Sequence, residues 1–472
     1  MKKYFQIIFL SILCIWIEPA IGQVKYWGLT SKGGDYNVGT IYFIEENSGE
    51  QHTVHSFNYG EGDTPIGRLT KGNDNMLYGT TPGGNLDYGT IFKYDHQSFI
   101  YQKMFEFNGG TGGSHPTGHL LNHPNGKIYG MTTLGGQEQV GIIFEYVPGE
   151  SNISVTKYFN GNDGARPEGG LTLANNGLLY GVTSYGGDYN SGVLFEFDPE
   201  TVEYHKLYDF DPVNGMIPVC NLIQASNGRL YGVAPKGGSA NSGVLFEYDI
   251  ISKTYTKLID FDGQNAGSEP AGSLIEASDG KLYGMTTKTQ IVGDNSYGVI
   301  YSYDITNFQI QKLFEFDGLS GISPTGSLLE IVNHKLIGVT DHGGINGFGV
   351  LFEYDITDGI FTKKDDFGND NGKLPIYSTL LKVYYVGVTE NNLSELVTVY
   401  PNPANEKIKV KLEGGYRQIS YSLIDMSGSI VHSKVLRNGQ QIIIDVKSLT
   451  PGNYLLQLNV NKKTYSQKVT IE

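Results

Sequence analysis

The sequence predicts an all-β protein in which a seven-bladed β-propeller with four-stranded blades precedes a small Ig-like β-sandwich. Three observations support this fold class. A glycine preceded by Tyr, Trp or Ile returns seven times at a nearly constant spacing, each copy contains four short strand-like segments, and residues 397–472 follow a different pattern. Tandem units of about 50 residues with four strands each are typical of propeller blades.

The composition fits a β-rich protein with many turns. The chain has 472 residues, of which 64 are glycine and 33 are tyrosine, and only 18% are charged. This composition argues against a coiled coil or a disordered tail.

Residues 1–22 have the pattern of a secretory signal peptide. Two lysines precede an apolar run from Ile7 to Ile17, and Ala20 and Gly22 are the small residues that a signal peptidase needs. The alternative, a membrane anchor, requires a longer apolar run. No other stretch is apolar enough to cross a membrane, so we expect no span in the mature chain. Cleavage would leave one cysteine and therefore no internal disulfide.

The repeated unit is built around a glycine that follows Tyr, Trp or Ile. The third copy shows its four segments at Pro116–Asn122, Lys127–Thr133, Gly141–Tyr146 and Ser154–Phe159. An Asn-Gly pair between the first two segments is a two-residue hairpin signal, and the short links predict one antiparallel meander. The glycines of the seven copies are Gly28, Gly79, Gly130, Gly181, Gly232, Gly284 and Gly338.

The ends of the repeat region predict that the ring closes. The chain enters at the second segment of a unit, near Tyr26, and leaves after a first segment at Leu374–Val383. We therefore expect the last segment to complete the first blade and to remove an open sheet edge. A β-solenoid is the alternative, but its turns are usually shorter than this period.

The unit LYGxT…GG…GxxFxYD, as at Leu77–Asp95, resembles the Gloeo/Verruco (GloVer) tandem repeat of secreted bacterial proteins. The resemblance covers roughly residues 26–383, although the first copy diverges and the sixth lacks the Gly-Gly pair. It implies a secreted repeat protein and carries no assigned reaction.

The C-terminal segment predicts six or seven short strands in a small sandwich. It is similar to the type IX secretion sorting domain of Bacteroidota, and its YPNPAN stretch corresponds to the sorting motif. The similarity implies handling by the type IX secretion machinery, export across the outer membrane, removal of this domain, and release or attachment to surface lipopolysaccharide. The sorting-motif residues are Tyr400, Pro401, Asn402 and Pro403.

These patterns divide the chain into a signal peptide (1–22), a propeller (23–383), a linker (384–396) and a sorting domain (397–472). The formal charge of −15 is carried by the propeller, because the sorting domain has ten basic and five acidic residues. Such an acidic surface argues against nucleic acid and anionic lipid as partners. It is compatible with neutral glycans, cations or basic proteins.

Most constant positions of the repeat are interpreted as structural. The aromatic residues are expected to pack between neighbouring blades, and a lysine in the fourth segment should protect the outer edge. The Asn or Asp that follows this segment should form a side-chain turn rather than a calcium site. These residues are Tyr78, Tyr129, Tyr180, Tyr231, Tyr283, Phe92, Phe144, Phe195, Phe246, Phe352; Lys103, Lys206, Lys257, Lys312, Lys363; Asn58, Asn108, Asn160, Asp211, Asp262 and Asp317.

One variable position inside the constant frame Pro-x-Gly-x-Leu supplies the candidate ligand-binding residues. If the first segments line a central channel, the residue before leucine faces that channel, where propellers often bind ligands. Ordinary variation at an exposed position is the alternative. Cys220 replaces the framing glycine in one copy and is expected to be buried. The predicted channel-lining residues are Arg68, His119, Asn221, Ser273 and Ser327, with Gly170 at the equivalent position of the fourth unit.

The sequence contains no nucleophile elbow, phosphate-binding loop, zinc signature or EF-hand loop, so we assign no catalytic residue, no metal and no cofactor. His115, His119 and His123 are spaced by four, but residues eight apart on a strand lie about 26 Å apart, too far for one metal ion. The copies offer no blade-specific pair of acids that we can nominate.

The expected function is a secreted or cell-surface, non-catalytic module that binds a glycan or a protein. One alternative is an extracellular glycan-active enzyme at the propeller mouth, which needs converging acids or a Tyr/His/Arg set. The other alternative is a structural component of the cell surface. The sequence leaves open the ligand, any calcium dependence, the oligomeric state, and whether the mature protein is released.

Overall fold

A computed structural model of the chain describes residues 24–46, 48–290, 297–331, 334–369, 371–385, 397–425, 430–460 and 463–472. The predicted signal peptide, and the predicted linker beyond residue 385, lie outside these residues. Contacts divide the chain into a repeat unit, Lys25–Val383, and a C-terminal unit that contains Tyr384–Glu472. Among the described residues, no helix is long and apolar enough to cross a membrane.

Antiparallel strands dominate the repeat unit, with one short 3-10 turn at Gly110–Gly112. In chain order the strands are β1 (Val24–Thr30), β2 (Thr40–Glu45), β3 (Gln51–Ser56), β4 (Thr70–Lys71), β5 (Leu77–Thr81), β6 (Thr90–Asp95), β7 (Ile100–Glu106), β8 (Leu121–Asn122), β9 (Ile128–Thr132), β10 (Ile142–Tyr146), β11 (Ile153–Tyr158), β12 (Thr172–Leu173), β13 (Leu179–Thr183), β14 (Val193–Asp198), β15 (Glu203–Asp209), β16 (Ile223–Gln224), β17 (Leu230–Ala234), β18 (Val244–Asp249), β19 (Thr254–Asp260), β20 (Ser268–Glu276), β21 (Lys281–Lys288), β22 (Val299–Asp304), β23 (Gln309–Glu315), β24 (Leu329–Glu330), β25 (Lys335–Thr340), β26 (Val350–Asp355), β27 (Ile360–Asp366) and β28 (Leu381–Tyr384).

Within the described residues these strands form seven four-stranded antiparallel sheets. Six sheets contain four consecutive strands in sequential order, from β4–β7 to β24–β27. The remaining sheet has the order β28-β1-β2-β3, so the last strand of the repeat unit lies beside the first. Each sheet is thus a meander with its first strand at one edge and its fourth strand at the other, and the first strand is the shortest in every sheet except that of β20–β23.

The repeated Tyr-Gly pair is explained by the packing of the second strand against the third. In the fifth unit, Gly232 of β17 pairs directly with Phe246 of β18. A Cβ atom at Gly232 would lie 2.5 Å from Cζ of Phe246 and 2.8 Å from Cδ2 of Leu222. Only glycine therefore leaves room for the phenylalanine ring over the strand.

The tyrosine before this glycine packs against the following sheet. Tyr231 belongs to a buried cluster with Leu282, Tyr301 and Tyr303 of the sixth unit. The predicted burial of the constant aromatic residues is confirmed, since the ten side chains named above are at most 3% exposed. Neighbouring sheets are therefore held together by continuous aromatic and aliphatic contact.

The first segments contain less regular strand than predicted. In the third unit the strand is Leu121–Asn122 instead of Pro116–Asn122, and only β20 is long. The prolines donate no hydrogen bond, and the residue before each proline, such as His115 with a φ of 55°, has left-handed backbone geometry. The segment therefore joins its own sheet only after the leucine of the frame.

The Asn-Gly hairpins also differ from the expected two-residue loop. The amide of Gly126 donates to the carbonyl of His123, and the amide of His123 donates to the carbonyl of Lys127. Gly126 has a φ of 87°, whereas Asn125 is not in the left-handed region. This is a type I turn followed by a glycine bulge, so the hairpin forms with one residue more than predicted.

The lysines of the fourth strands lie on the outer edges, as predicted. Each forms an ion pair with an acidic residue three positions later, as between Lys257 and Asp260 of β19, where Nζ lies 3.0 Å from Oδ1. Because these pairs are exposed, each contributes little stability. Their main effect is to place charge on an edge that could otherwise pair with another chain.

The C-terminal unit contains five described strands, β29 (Val397–Tyr400), β30 (Lys407–Asp425), β31 (Ile430–Asp445), β32 (Gly452–Val460) and β33 (Lys463–Ile471). They form one five-stranded sheet with the order β29-β30-β32-β33, in which β31 also pairs with β30. Among the described residues the strands are therefore fewer and longer than the six or seven short strands predicted, and the two-sheet sandwich stays a prediction. The Gly414-Gly415 pair does not end a strand: β30 continues through it with a shift of register between Lys411 and Tyr416.

The glycine–phenylalanine contact gives a direct test of the packing. We expect Gly232→Ala to lower the free energy of unfolding by about 1–3 kcal/mol, because the methyl group would overlap the Phe246 ring. The double variant Gly232→Ala/Phe246→Leu should lose less than the sum of its single variants. Urea unfolding followed by circular dichroism measures both effects, and additive losses would contradict this explanation of the motif.

Candidate functional site

The seven first segments meet around one central cavity. The framing glycines allow this approach: a Cβ at Gly118 would lie 2.1 Å from the carbonyl oxygen of Gly169, and one at Gly326 would lie 2.0 Å from that of Ser378. Residues from all seven sheets line the cavity, which has a volume of about 100 Å³. This space accommodates a small chemical group.

The predicted channel-lining residues are brought together by the fold. Arg68, His119, Asn221, Ser273 and Ser327 all line this cavity, here called the upper cavity. All five also line a more open lower cavity of about 380 Å³, whose remaining walls come from residues that follow them in the chain. They therefore stand at the level that the two cavities share. We name this level, completed by Gly170 and Thr379, the inner ring.

Hydrogen bonds connect neighbouring members of the inner ring. The amide of Gly170 donates to Oδ1 of Asn221, and the amide of Asn221 donates to Oγ of Ser273 at 3.0 Å. The amide of Ser273 donates to Oγ of Ser327 at 2.7 Å, and the amide of Ser327 donates to Oγ1 of Thr379 at 3.1 Å. Each side chain thus accepts a hydrogen bond from the backbone of the preceding unit.

His119 interrupts this pattern by lying over Gly170. A Cβ at Gly170 would be 2.4 Å from Nδ1 of His119, so glycine is required to accommodate the imidazole. His119 Nδ1 is buried without a hydrogen-bond partner among the described residues. Burial, and then the charge of Arg68, lower the pKa of His119 to about 3, so the ring is neutral near pH 7.

Arg68 places a positive charge in the inner ring. Its side chain reaches solvent in the cavity, yet the protein surrounds it closely enough for desolvation to lower the pKa of the guanidinium. It lines both cavities together with Thr379, the ring residue of the neighbouring sheet. Within the part of the chain that the structure describes, Arg68 makes no ion pair with a carboxylate. A desolvated charge without a partner is costly, which marks this residue as a candidate for ligand contact.

The wall of the upper cavity contains a buried acid that the sequence analysis missed. Asp341 follows β25 and is 4% exposed. The hydroxyl of Thr325 donates to its carboxylate, with Oγ1 at 2.7 Å from Oδ1, and accepts the amide hydrogen of Tyr377 at 2.8 Å. Burial raises the pKa of Asp341 to about 7, and the Thr325 hydrogen bonds oppose this shift.

Two further side chains join this acid at the upper cavity. Glu168 and Tyr377 both line it. Burial raises the pKa of Glu168, and the charge of Arg166 opposes the change. Burial, followed by the carboxylates of Asp341 and Glu168, raises the pKa of Tyr377, so the three groups are electrostatically coupled.

This group corrects the expectation that the copies contain no blade-specific acid pair. Aligned copies carry Ser, Thr or Pro where Asp341 stands, and Ile, Thr, Val or Ala where Glu168 stands. Tyr377 lies in the first segment at Leu374–Val383, where the frame between proline and leucine is one residue longer than in the other copies. These exceptions are visible in the sequence, but they lie at positions other than the one before the framing leucine. The equivalents of Asp341 are Ser31, Pro82, Thr133, Ser184, Pro235 and Thr287.

The other positions singled out from the sequence have local structural roles. His123 packs edge-on against Tyr129, with ring centroids 5.7 Å apart, whereas His119 lines the cavities. Cys220 is buried as predicted, and burial raises the pKa of its thiol to about 11. The predicted side-chain turns form, as at Asp211, whose Oδ1 accepts the amide of Val213 at 2.7 Å.

The predicted sorting-motif residues lie at the start of the C-terminal unit. Tyr400 ends β29 and is 40% exposed. The side chain of Asn402 connects this segment to β33: Nδ2 donates to the carbonyl of Lys468 at 3.0 Å, and Oδ1 accepts the amide of Thr470 at 2.8 Å. The motif is thus fastened to the last strand of the sheet.

The two units define the class of the protein, an all-β repeat protein followed by a sorting domain. The chain belongs to the Gloeobacter/Verrucomicrobia repeat family, whose model matches residues 22–225 and 216–399. The secretion system C-terminal sorting domain matches residues 398–472. This domain indicates handling by the type IX secretion machinery and export to the cell surface or the extracellular space. A search of curated proteins found no match.

Solved structures with a similar fold are propeller-like and include candidate enzymes. A candidate 6-phosphogluconolactonase from Bacteroides fragilis is 16% identical, with a TM-score of 0.53, over 76% of this chain and 98% of that one. A second, from Bacteroides uniformis, is 12% identical, with a TM-score of 0.52, over 76% and 99%. The β-propeller domain of a Pyrococcus furiosus protease is 12% identical, with a TM-score of 0.43, over 74% and 94%. At these identities the likeness concerns the fold alone.

The raised pKa of Asp341 predicts a specific pH dependence of stability. Between pH 4 and 7 the folded protein retains a proton that the unfolded chain has released, so this group makes the protein less stable as the pH rises. Asp341→Asn should remove the effect and gain up to a few kcal/mol relative to the wild type between pH 4 and 8. Thermal unfolding across this range measures the difference.

Asp317→Asn provides a control of opposite sign. Hydrogen bonds from Ser320 lower the pKa of Asp317, so its ionised form stabilises the fold above about pH 4. A constant difference between Asp341→Asn and the wild type at all pH values would show that Asp341 does not titrate in this way.

Proposed function

We propose that the protein is a secreted or cell-surface binding module, in which a closed seven-bladed β-propeller binds a glycan or protein ligand without catalysis. The proposal includes a signal peptide at 1–22, the propeller at 23–383, a linker at 384–396 and a sorting domain at 397–472. The type IX secretion machinery exports the chain and removes its sorting domain. The ligand enters the central cavity and contacts the inner ring.

Closure of the ring is supported by contacts between the first and last units. In addition to the pairing of β28 with β1, the amides of Ser31 and Lys32 donate to the carbonyls of Leu374 and Lys373, each at 3.0 Å. The amide of Thr379 donates to the carbonyl of Gly67 at 3.4 Å. A closed ring leaves no open edge between the first and last sheets.

The binding role rests on one observation. A constant frame surrounds the central cavity, but its polar lining differs from unit to unit and contains two groups that the fold does not use. Among the described residues, these are Nδ1 of His119, which has no well-formed hydrogen bond although Asn221 lies close to it, and the charge of Arg68, which has no ion pair. Buried polar groups without partners are rare in folded proteins, and a bound ligand is a simple explanation for them.

An array of glycans, probed with the full chain with and without calcium, tests this role. We expect binding that Arg68→Ala/His119→Ala reduces at least tenfold, because both groups are removed from the ring. The double variant should fold normally. Lys103→Ala, which removes a charge from an outer strand, is the control. Unchanged binding by the double variant would exclude this site, and no binding on the array would exclude a glycan ligand.

The acids at the upper cavity favour a second candidate, a glycan-active enzyme with its site at the mouth. Glu168 and Asp341 have raised pKa values, and Tyr377 is coupled to both. A carboxyl group whose pKa is raised is a suitable general acid for cleavage of a glycosidic bond. Asp341 reaches the cavity through the hydroxyl of Thr325, so Glu168 and Tyr377 are the groups that would touch a substrate.

Turnover of the bound glycan separates the two candidates. If the protein only binds, glycans that bind on the array should remain intact after prolonged incubation, as measured by mass spectrometry. If it is an enzyme, Glu168→Gln should lower the rate at least 100-fold while binding is retained. Cleavage that depends on Glu168 would replace the binding role with the enzymatic one.

A further inference from the structure

The hydroxyl groups of the inner ring that accept backbone hydrogen bonds each keep a hydrogen that they can donate. The oxygen atoms of Ser273, Ser327 and Thr379 each accept a backbone amide hydrogen from the neighbouring unit. A hydroxyl that has accepted one hydrogen bond still has its own hydrogen to donate. Asn221 likewise accepts through Oδ1 and retains its two amide hydrogens.

Arg68 adds a charged donor at the same level. The guanidinium presents five N–H groups and accepts no hydrogen bond. None of the described residues of the inner ring is a carboxylate, and His119 beside Arg68 is neutral near pH 7. The ring therefore has a positive charge and several hydrogen-bond donors, but no negative charge of its own.

This arrangement contrasts with the rest of the repeat unit. The chain has a formal charge of −15, and the repeat unit carries this negative charge because the C-terminal unit is basic. The inner ring is therefore a cationic site inside an acidic unit. A guanidinium with surrounding hydroxyl donors matches the geometry of a carboxylate or a sulfate.

The upper cavity above the ring contains groups that can bind the uncharged parts of a sugar. The carboxyl group of Glu168 can form hydrogen bonds with hydroxyl groups, and Tyr377, which is 43% exposed, can contact the face of a sugar ring. A sugar that carries an acidic group has one anion next to several hydroxyls and an apolar ring face. The cavity has a hydrogen-bond acceptor and an aromatic ring above a cationic floor. An acidic sugar therefore matches it better than the carboxyl terminus of a peptide does.

We propose that the central cavity binds the anionic group of an acidic glycan, with Arg68 as its counter-ion and the inner-ring hydroxyls as additional donors. The inference rests on the proposed binding function and specifies the class of its ligand. The anion is a carboxylate or a sulfate ester, which share this recognition chemistry.

The test uses the full chain and matched pairs of glycans that differ only in charge. The pairs are oligoglucuronate and its methyl ester, a sialylated oligosaccharide and its asialo form, and a sulfated oligosaccharide and its desulfated form. We expect at least one acidic member to bind at least tenfold more tightly than its neutral counterpart. The pair that responds distinguishes carboxylate from sulfate.

Variants of Arg68 connect this preference to the inner ring. Arg68→Met should abolish the difference between the charged and neutral members, and Arg68→Lys should restore part of it, because lysine keeps the charge but not the planar fork. Lys103→Met makes the same change in net charge on the outer strand β7, where Lys103 pairs with Glu106, and should keep the preference. The thermal midpoint of Arg68→Met should equal or exceed that of the wild type, since an unpaired desolvated charge is removed.

The outcomes separate failure of this inference from failure of the proposed function. Equal affinity for charged and neutral glycans, or a preference that survives Arg68→Met, would overturn the inference while the binding role stands. Binding only of peptides with a free carboxyl terminus would also overturn it. Absence of binding to every glycan would refute the glycan-binding function on which the inference rests.

Discussion

The close approach of neighbouring first segments is the constraint on which the rest of the repeat unit depends. At Gly118 and Gly326 the carbonyl oxygen of the next unit occupies the space of a Cβ atom. This approach lets a backbone amide of one unit reach the side chain of the next, as between Ser273 and Ser327. It also makes the innermost strands short, because their first residues pair with a neighbouring unit and not with their own sheet.

Much of the fold could be predicted from the sequence because its causes are local and repeated. The Tyr-Gly pair, the alternating third strand and the edge lysines each have an explanation within one or two units, so seven copies provided seven independent signals. The length of the first strands and the turn at Gly126 were predicted less well. Their geometry is determined by contacts with the neighbouring unit and by the bulge, which a pattern of residue types does not reveal.

The same reasoning predicted only one part of the candidate site. The inner ring could be found because its members occupy equivalent positions in each copy. The group around Asp341 could not be found in that way, since its members come from three different positions of the unit. Comparison of each position in turn across the copies would have identified Asp341 and Glu168 as exceptions, but not the link between Asp341 and Tyr377 through Thr325, which depends on how two units meet.

The distribution of hydrogen bonds around the inner ring separates the part that maintains the fold from the part that is available to a ligand. From Gly170 to Thr379 the ring side chains serve as acceptors for the frame, and serine, threonine or asparagine each fulfil that role. Arg68 and His119 do not take part in this series among the described residues, and the glycine next to them is required by the imidazole. The series of amide-to-side-chain hydrogen bonds is therefore interrupted along one arc, which instead carries a charge and an imidazole nitrogen without a well-formed hydrogen bond among the described residues. Departures from a local rule without a compensating contact are typical of functional sites, and this arc is where the repeat differs most from its own pattern.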